Sequence, residues 1–277
     1  MLSNTPGGGG GSTVLDRLRR HDLVGAYLAI VLLTWAVWVP RAMGIPMGVL
    51  GQVSVWLPAI AVLVWASVVH GSPGVRELGR SVVRWRVRWW WYPVVLVGPW
   101  IFSLAVSGVS ALLGVPESQA QHELPAPVGT LVLLLAILAL TDGLGEEVAW
   151  RGYLLPRLLS RHSALTASLI LAAGWWLWHL PLIGTDGAAL EGEPWWLLLA
   201  NLTALSIVFT FVFLHTRGSV LIAILLHAAC NLFAVSPDSG PGGDLTVALV
   251  ALGLKVVVAI GCLVHLSLIP PLKGGPS

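Results

Sequence analysis

The chain is 277 residues long, with 56% of them hydrophobic, only 10% charged, and a mean hydropathy of +0.85. Soluble domains carry roughly 25% charged residues, so this composition excludes a soluble enzyme or a polar binding module. The net charge of +2, with no basic–aromatic interleaving outside one short loop, excludes a nucleic-acid partner.

In chain order, residues 1–13 are Gly-rich and read as disordered. With Arg17, Arg19 and Arg20 they form a basic cytoplasmic segment over 1–22. Hydropathy then predicts an all-α, polytopic membrane bundle of about eight helices, at 24–40, 49–70, 91–114, 128–150, 163–183, 195–214, 218–235 and 245–269. These make one transmembrane domain over 23–270, with a cytoplasmic tail at 271–277. The first run is followed directly by Pro40-Arg41 and lacks a small-residue cleavage site, so it reads as a retained span. Pro116, Pro125, Gly184, Pro194, Gly218 and Pro237 mark the breaks between helices. Cys230 and Cys262 sit inside apolar runs and read as packing residues.

Basic residues set the orientation. Arg17, Arg76, Arg80, Arg151, Arg157, Arg161, Arg217 and Lys273 all fall on one side of the eight-span arrangement. Of the loops facing the other way, one holds Arg41 and the rest hold acids such as Glu117, Glu191 and Asp244. Both termini are therefore expected in the cytoplasm. Thirteen Arg against two Lys suggests a GC-rich bacterial genome and hence a bacterial plasma membrane. Between the second and third spans, Arg84, Arg86 and Arg88 alternate with Trp85, Val87 and Trp89. Such a pattern favours an interfacial anchor over a platform that grips substrate.

A charged side chain near the bilayer centre costs about 2.5–3.5 kcal/mol, so each needs a partner or a function. The fourth span carries Asp142, Glu146 and Glu147 within six residues, followed by Arg151. Glu147 and Arg151 are four apart, with the acid on the N-terminal side, the favourable order for a helical ion pair. That pairing leaves Glu146 free to act as a base, with Asp142 one turn away and able to share its proton. Glu146 lies sixteen residues before His162 in the following turn and His179 seventeen after it. A helical hairpin would set the two side by side at a depth of about 24 Å. On the seventh span His227 and Asn231 share a face and need a common polar target: an oxyanion, a metal or a water. A single intramembrane His more often makes a helix–helix hydrogen bond, and Glu147–Arg151 reads first as structural. His215, Lys255 and His265 read as interfacial, snorkelling or packing residues. Three helices each bringing polar residues point to a site.

These residues resemble the CAAX protease and bacteriocin-processing (CPBP, Abi) family of intramembrane peptidases, of the Ras-converting-enzyme type. The resemblance rests on Glu146-Glu147-x-x-x-Arg151-Gly152, Trp175-x-x-x-His179 and His227-x-x-x-Asn231, preceded by Thr216-Arg217-Gly218-Ser219. The motif region extends over 128–235, and Trp175 stands where the family usually has Phe. The resemblance implies an endopeptidase acting on a membrane-associated peptide or protein. In it Glu146 and His179 activate a water, His227 and Asn231 steady the oxyanion, and Glu147 and Arg151 orient the site. The family is commonly labelled metalloprotease, but the chain has no HExxH element. A metal-free mechanism without cofactor is favoured over a Zn²⁺ site built from Glu146, His179 and His227. The competing readings are a non-proteolytic scaffold or immunity-type protein of the same family, and a proton-coupled transporter.

Overall fold

The computed structural model describes residues 13–115, 127–234 and 245–268. The Gly-rich start, Glu117, Glu123, Asp238, Asp244 and Lys273 lie outside the described residues. The described chain is helix and turn, in nine helices: α1 Val14–Arg20, α2 Asp22–Ala42, α3 Gly48–Val82, α4 Trp91–Leu112, α5 Val128–Leu159, α6 Ala164–Ile183, α7 Trp195–His215, α8 Val220–Leu232 and α9 Thr246–Leu268. Seven of them, α2 to α7 and α9, are long and apolar enough to cross a membrane. The fold is the polytopic helical bundle that hydropathy predicts.

Two elements differ from the sequence reading. The second span breaks at Gly71, as the sequence predicts, with a non-helical φ of 66°, but a further helical stretch follows this kink as far as Val82. Arg76 and Arg80 therefore ride on the helical extension rather than in a loop. Helix α8 has 13 residues, about 20 Å of length, too short for a hydrocarbon core of ~30 Å. It is instead enclosed by its neighbours, with Ile222, Ala223, Ala228 and Ala229 at 0% exposure.

The non-helical stretch between α3 and α4 fastens the start of α8. The Arg84 carbonyl accepts a hydrogen bond from Ser219 Oγ at 2.6 Å, and the Arg84 guanidinium donates to the Arg217 carbonyl. Ser219 also caps α8 by accepting from the Ile222 N–H. Arg86 and Arg88 lie over Trp85 and Trp90 at 5.2 and 4.9 Å. Helix α6 packs along α7, and α7 along α9. A polar seam joins α6 to α7: Ser206 Oγ donates to the Ser168 carbonyl, and Ser168 Oγ donates to Thr210 Oγ1. Small hydroxyl residues are the usual glue between membrane helices.

Glycines bring α5 into the centre. A methyl at Gly145 would overlap the Val55 carbonyl in the tight turn Ser54–Trp56 within α3, and one at Gly143 would meet the Ile224 carbonyl of α8 at 2.9 Å. Gly145→Ala is expected to cost about 1–3 kcal/mol or more through overpacking, read as a lower thermal midpoint in detergent. Gly129→Ala, where nothing lies within 4 Å, should leave the midpoint unchanged. Equal midpoints for the two variants would refute this packing.

Candidate active site

Helix α5 changes character along its length. Val132, Leu133 and Ile137 are exposed, whereas the stretch from Gly143 to Leu155 is almost wholly enclosed. Within it Ala139–Gly143 and Val148–Leu154 are π-helical. A π-helix bonds i to i+5 and often marks a functional site. Residues five apart, Asp142 and Glu147, thereby meet residues four apart on the regular helix α8. His227 Nδ1 donates to Glu147 Oε1 at 2.7 Å, and Asn231 Nδ2 donates to Asp142 Oδ2 at 3.1 Å.

Glu147 and Arg151 are both fully buried, and Arg151 Nη1 donates to Glu147 Oε1 at 2.7 Å. The guanidinium carbon lies 4.5 Å from the Trp175 ring centre and 4.1 Å from that of Phe209. A planar cation between two rings is held by dispersion and by their quadrupoles. Glu147 Oε2 and Arg151 Nε and Nη2 are buried without a hydrogen-bond partner among the described residues. Such atoms are ones that ordered water or a substrate amide satisfies.

Glu146 is 8% exposed, and its carboxylate is gripped from one side. Glu146 Oε2 accepts from Trp175 Nε1 at 2.7 Å and from Trp150 Nε1 at 3.2 Å. Its other oxygen lies 3.9 Å from His227 Nε2. The two glutamates thus bracket one imidazole, with Glu147 on Nδ1 and Glu146 facing Nε2. His179 does not bond Glu146 directly. Its Nδ1 lies 2.9 Å from the Trp175 carbonyl; a carbonyl only accepts, so Nδ1 carries the proton and Nε2 keeps its lone pair. The His179 ring lies 5.9 Å from Trp175, whose other neighbours include His227, Arg151, Phe209 and Trp150. Trp175 is the shared wall through which the three helices meet.

Two sequence expectations change in consequence. Asp142 does not pair with Glu146 but holds Asn231, since the π turn rotates it toward α8. Asn231, expected to share an oxyanion pocket with His227, is exposed at the end of α8, whereas His227 is buried. Trp150 was legible as an i+4 neighbour of Glu146, but Phe209 on α7 carried no signal. Neither did Asp22, which is 8% exposed and accepts from Trp65 Nε1, Tyr153 Oη, Arg157 Nε and His70 Nε2. This hub pins the last turns of α5 to α2 and α3.

A zinc site needs three or four donors at about 2.0–2.3 Å from one point. Among the described residues no three His, Cys, Asp or Glu side chains stand so. Glu146 Oε2 already takes two indole donors, and His227 Nδ1 is committed to Glu147. As arranged, Glu146, His179 and His227 do not fit such a site.

Trp175→Phe keeps the ring against Arg151 and Phe209 but removes one donor from Glu146. It is expected to fold normally, at a cost of about 0.5–1.5 kcal/mol, in line with a single hydrogen bond. Trp175→Ala removes the wall itself and should destabilise by about 3–5 kcal/mol. A thermal melt of both variants separates the two effects; equal melts would show that the ring bears no load.

An enclosed cluster of carboxylates, histidines and a guanidinium inside a bundle of apolar helices defines an integral membrane protein with an intramembrane polar site. Residues 128–233 match the family described as type II CAAX prenyl endopeptidase Rce1-like. The CAAX prenyl protease 2 of Methanococcus maripaludis is 35% identical over 107 residues, which are 36% of this chain and 38% of that protein. The chain thus spans well under half the length of this curated relative. Over α5 to α8, the helices that hold the site, the resemblance to the CAAX protease family is shown.

Proposed function

We propose that the chain is an intramembrane endopeptidase of the CAAX protease type, acting on a membrane-associated peptide or protein with both of its own termini in the cytoplasm. The observation that carries this reading is the placement of Glu146: enclosed, gripped by two indoles on one oxygen and facing His227 Nε2 with the other.

In this mechanism His179 Nε2 and the free face of Glu146 hold a water. Glu146 takes one proton from it, and the oxygen adds to the carbonyl carbon of the scissile bond. The new oxyanion is met by His227 Nε2–H, with the second N–H of Asn231 available at the mouth of the site. Glu146 then returns its proton to the departing nitrogen as the C–N bond breaks, leaving a carboxylic acid and an amine. Glu147 and Arg151 act as positioning residues for His227. The charges balance throughout: Arg151 and protonated His227 offset the two glutamates before attack, and Glu147 with the oxyanion afterwards. A charge-neutral cluster is what a low-dielectric interior tolerates.

The test is cleavage itself. Membranes containing the chain, incubated in heavy-oxygen water with a panel of apolar peptides, should release fragments labelled in the new carboxyl group. Membranes without the chain should release none. Failure to cut any peptide in the panel would sink the peptidase reading, and inhibition by phenanthroline would overturn its metal-free form.

A further inference from the structure

A cavity of about 390 Å³ lies between α4, α7, α8 and α9. Its walls are apolar, with Val95, Phe102, Leu205 and Val208 among them, but Asn231 of the candidate site and Lys255 of α9 also line it. Lys255 lies nine residues into a helix of 23, about 14 Å along its axis and so near the middle of a ~30 Å hydrocarbon layer. Its Nζ donates to Asn201 Oδ1 of α7 at 2.8 Å. Glu193, in the turn before α7, acts on it through space. Among the described residues no carboxylate forms an ion pair with Lys255.

An ammonium at this depth whose direct partner is a neutral amide, with Glu193 acting only at longer range, is costly and marks a function by default. Snorkelling would carry the head group toward the interface, yet here a side chain of the bundle holds it beside the cavity. A lipid phosphate sits at headgroup level, well above this depth. A carboxylate drawn in on an apolar chain reaches it, and the same cavity leads that chain to Asn231.

We propose that Lys255 is the specificity residue of a substrate subsite, taking a carboxylate carried on an apolar peptide that lies in this cavity. The inference rests on the peptidase reading, but binding tests it apart from turnover. The protein used is the full chain with Glu146→Gln, in nanodiscs of zwitterionic lipid. The probes are three fluorescent apolar peptides identical except for a terminal carboxylate, a terminal amide, or a terminal amide with one Glu side chain. At least one carboxylate peptide should bind roughly tenfold more tightly than the neutral amide, as a charge-assisted contact provides. Which one does so tells a chain end from a side chain. Lys255→Met should erase the preference while still binding the neutral amide as before, which shows the fold intact, and Lys255→Arg should keep it. Equal affinity for all three peptides, or a preference that survives Lys255→Met, would overturn the proposal. So would loss of the preference when anionic phospholipid is added, since a lipid headgroup would then be the occupant. Carboxylate binding by a wild type that cleaves nothing would refute the peptidase reading and leave this subsite standing.

Discussion

Glu146→Gln is expected to lower the cleavage rate by roughly 10²–10⁴-fold, the usual contribution of a general base. The substitution is nearly isosteric, and an amide oxygen still accepts from Trp150 and Trp175, so the indole grip survives. The loss should therefore fall on kcat with little change in peptide binding, in protein that expresses and melts like the wild type. Glu146 Oε1 faces His227 at 3.9 Å without a hydrogen bond, so no structural contact is sacrificed there. Kinetics on purified protein in detergent check this. A variant retaining cleavage within tenfold of wild type would remove Glu146 from the role of base.

The second large effect is on stability. Arg151→Met should destabilise the bundle by about 3–5 kcal/mol, the cost of leaving one member of a buried pair uncompensated. Glu147 would keep only His227 as partner, with Oε2 already unsatisfied. A methionine fills much of the space between Trp175 and Phe209, so the deficit is electrostatic rather than a cavity. Adding Glu147→Gln to Arg151→Met removes the stranded charge and should recover part of the loss. Arg151→Lys keeps the charge but not the planar stack between the rings, and should fall between. Thermal midpoints of the three variants give the cycle. If the double variant is less stable than Arg151→Met alone, the pair does not act as a charge-compensated unit.

Together these predictions separate the two adjacent acids. Glu147 bonds to both Arg151 and His227 and is completely enclosed, while Glu146 keeps one oxygen free of hydrogen bonds. Each acid has one oxygen without a hydrogen-bond partner among the described residues, but Glu147 is sealed at 0% exposure while Glu146 keeps 8%, so Glu146 is the one a water can reach.

Some of this was legible in the sequence for a simple reason: local periodicity and hydropathy are properties of consecutive residues. A bilayer demands about 20 apolar residues per helix, so the long spans were readable from composition, as was the bundle they form. The Glu147–Arg151 pair is an i,i+4 contact and needs only a helix to exist. The grouping of Glu146, His179 and His227 followed from the scarcity of polar residues in apolar runs, since few charges are tolerated there. Tertiary structure alone decided the rest. The π turns of α5 break the 3.6-residue period on which any face assignment rests, and they moved Asp142 from Glu146 to Asn231. The hairpin count set Glu146 beside His179, yet the contact that forms is with Trp175 one turn earlier, because a long indole fills the gap between the helices. Phe209 over Arg151, the Asp22 hub and the seat of Lys255 against Asn201 join residues 43 to 135 positions apart. Packing creates such contacts, and no pattern along one helix encodes them.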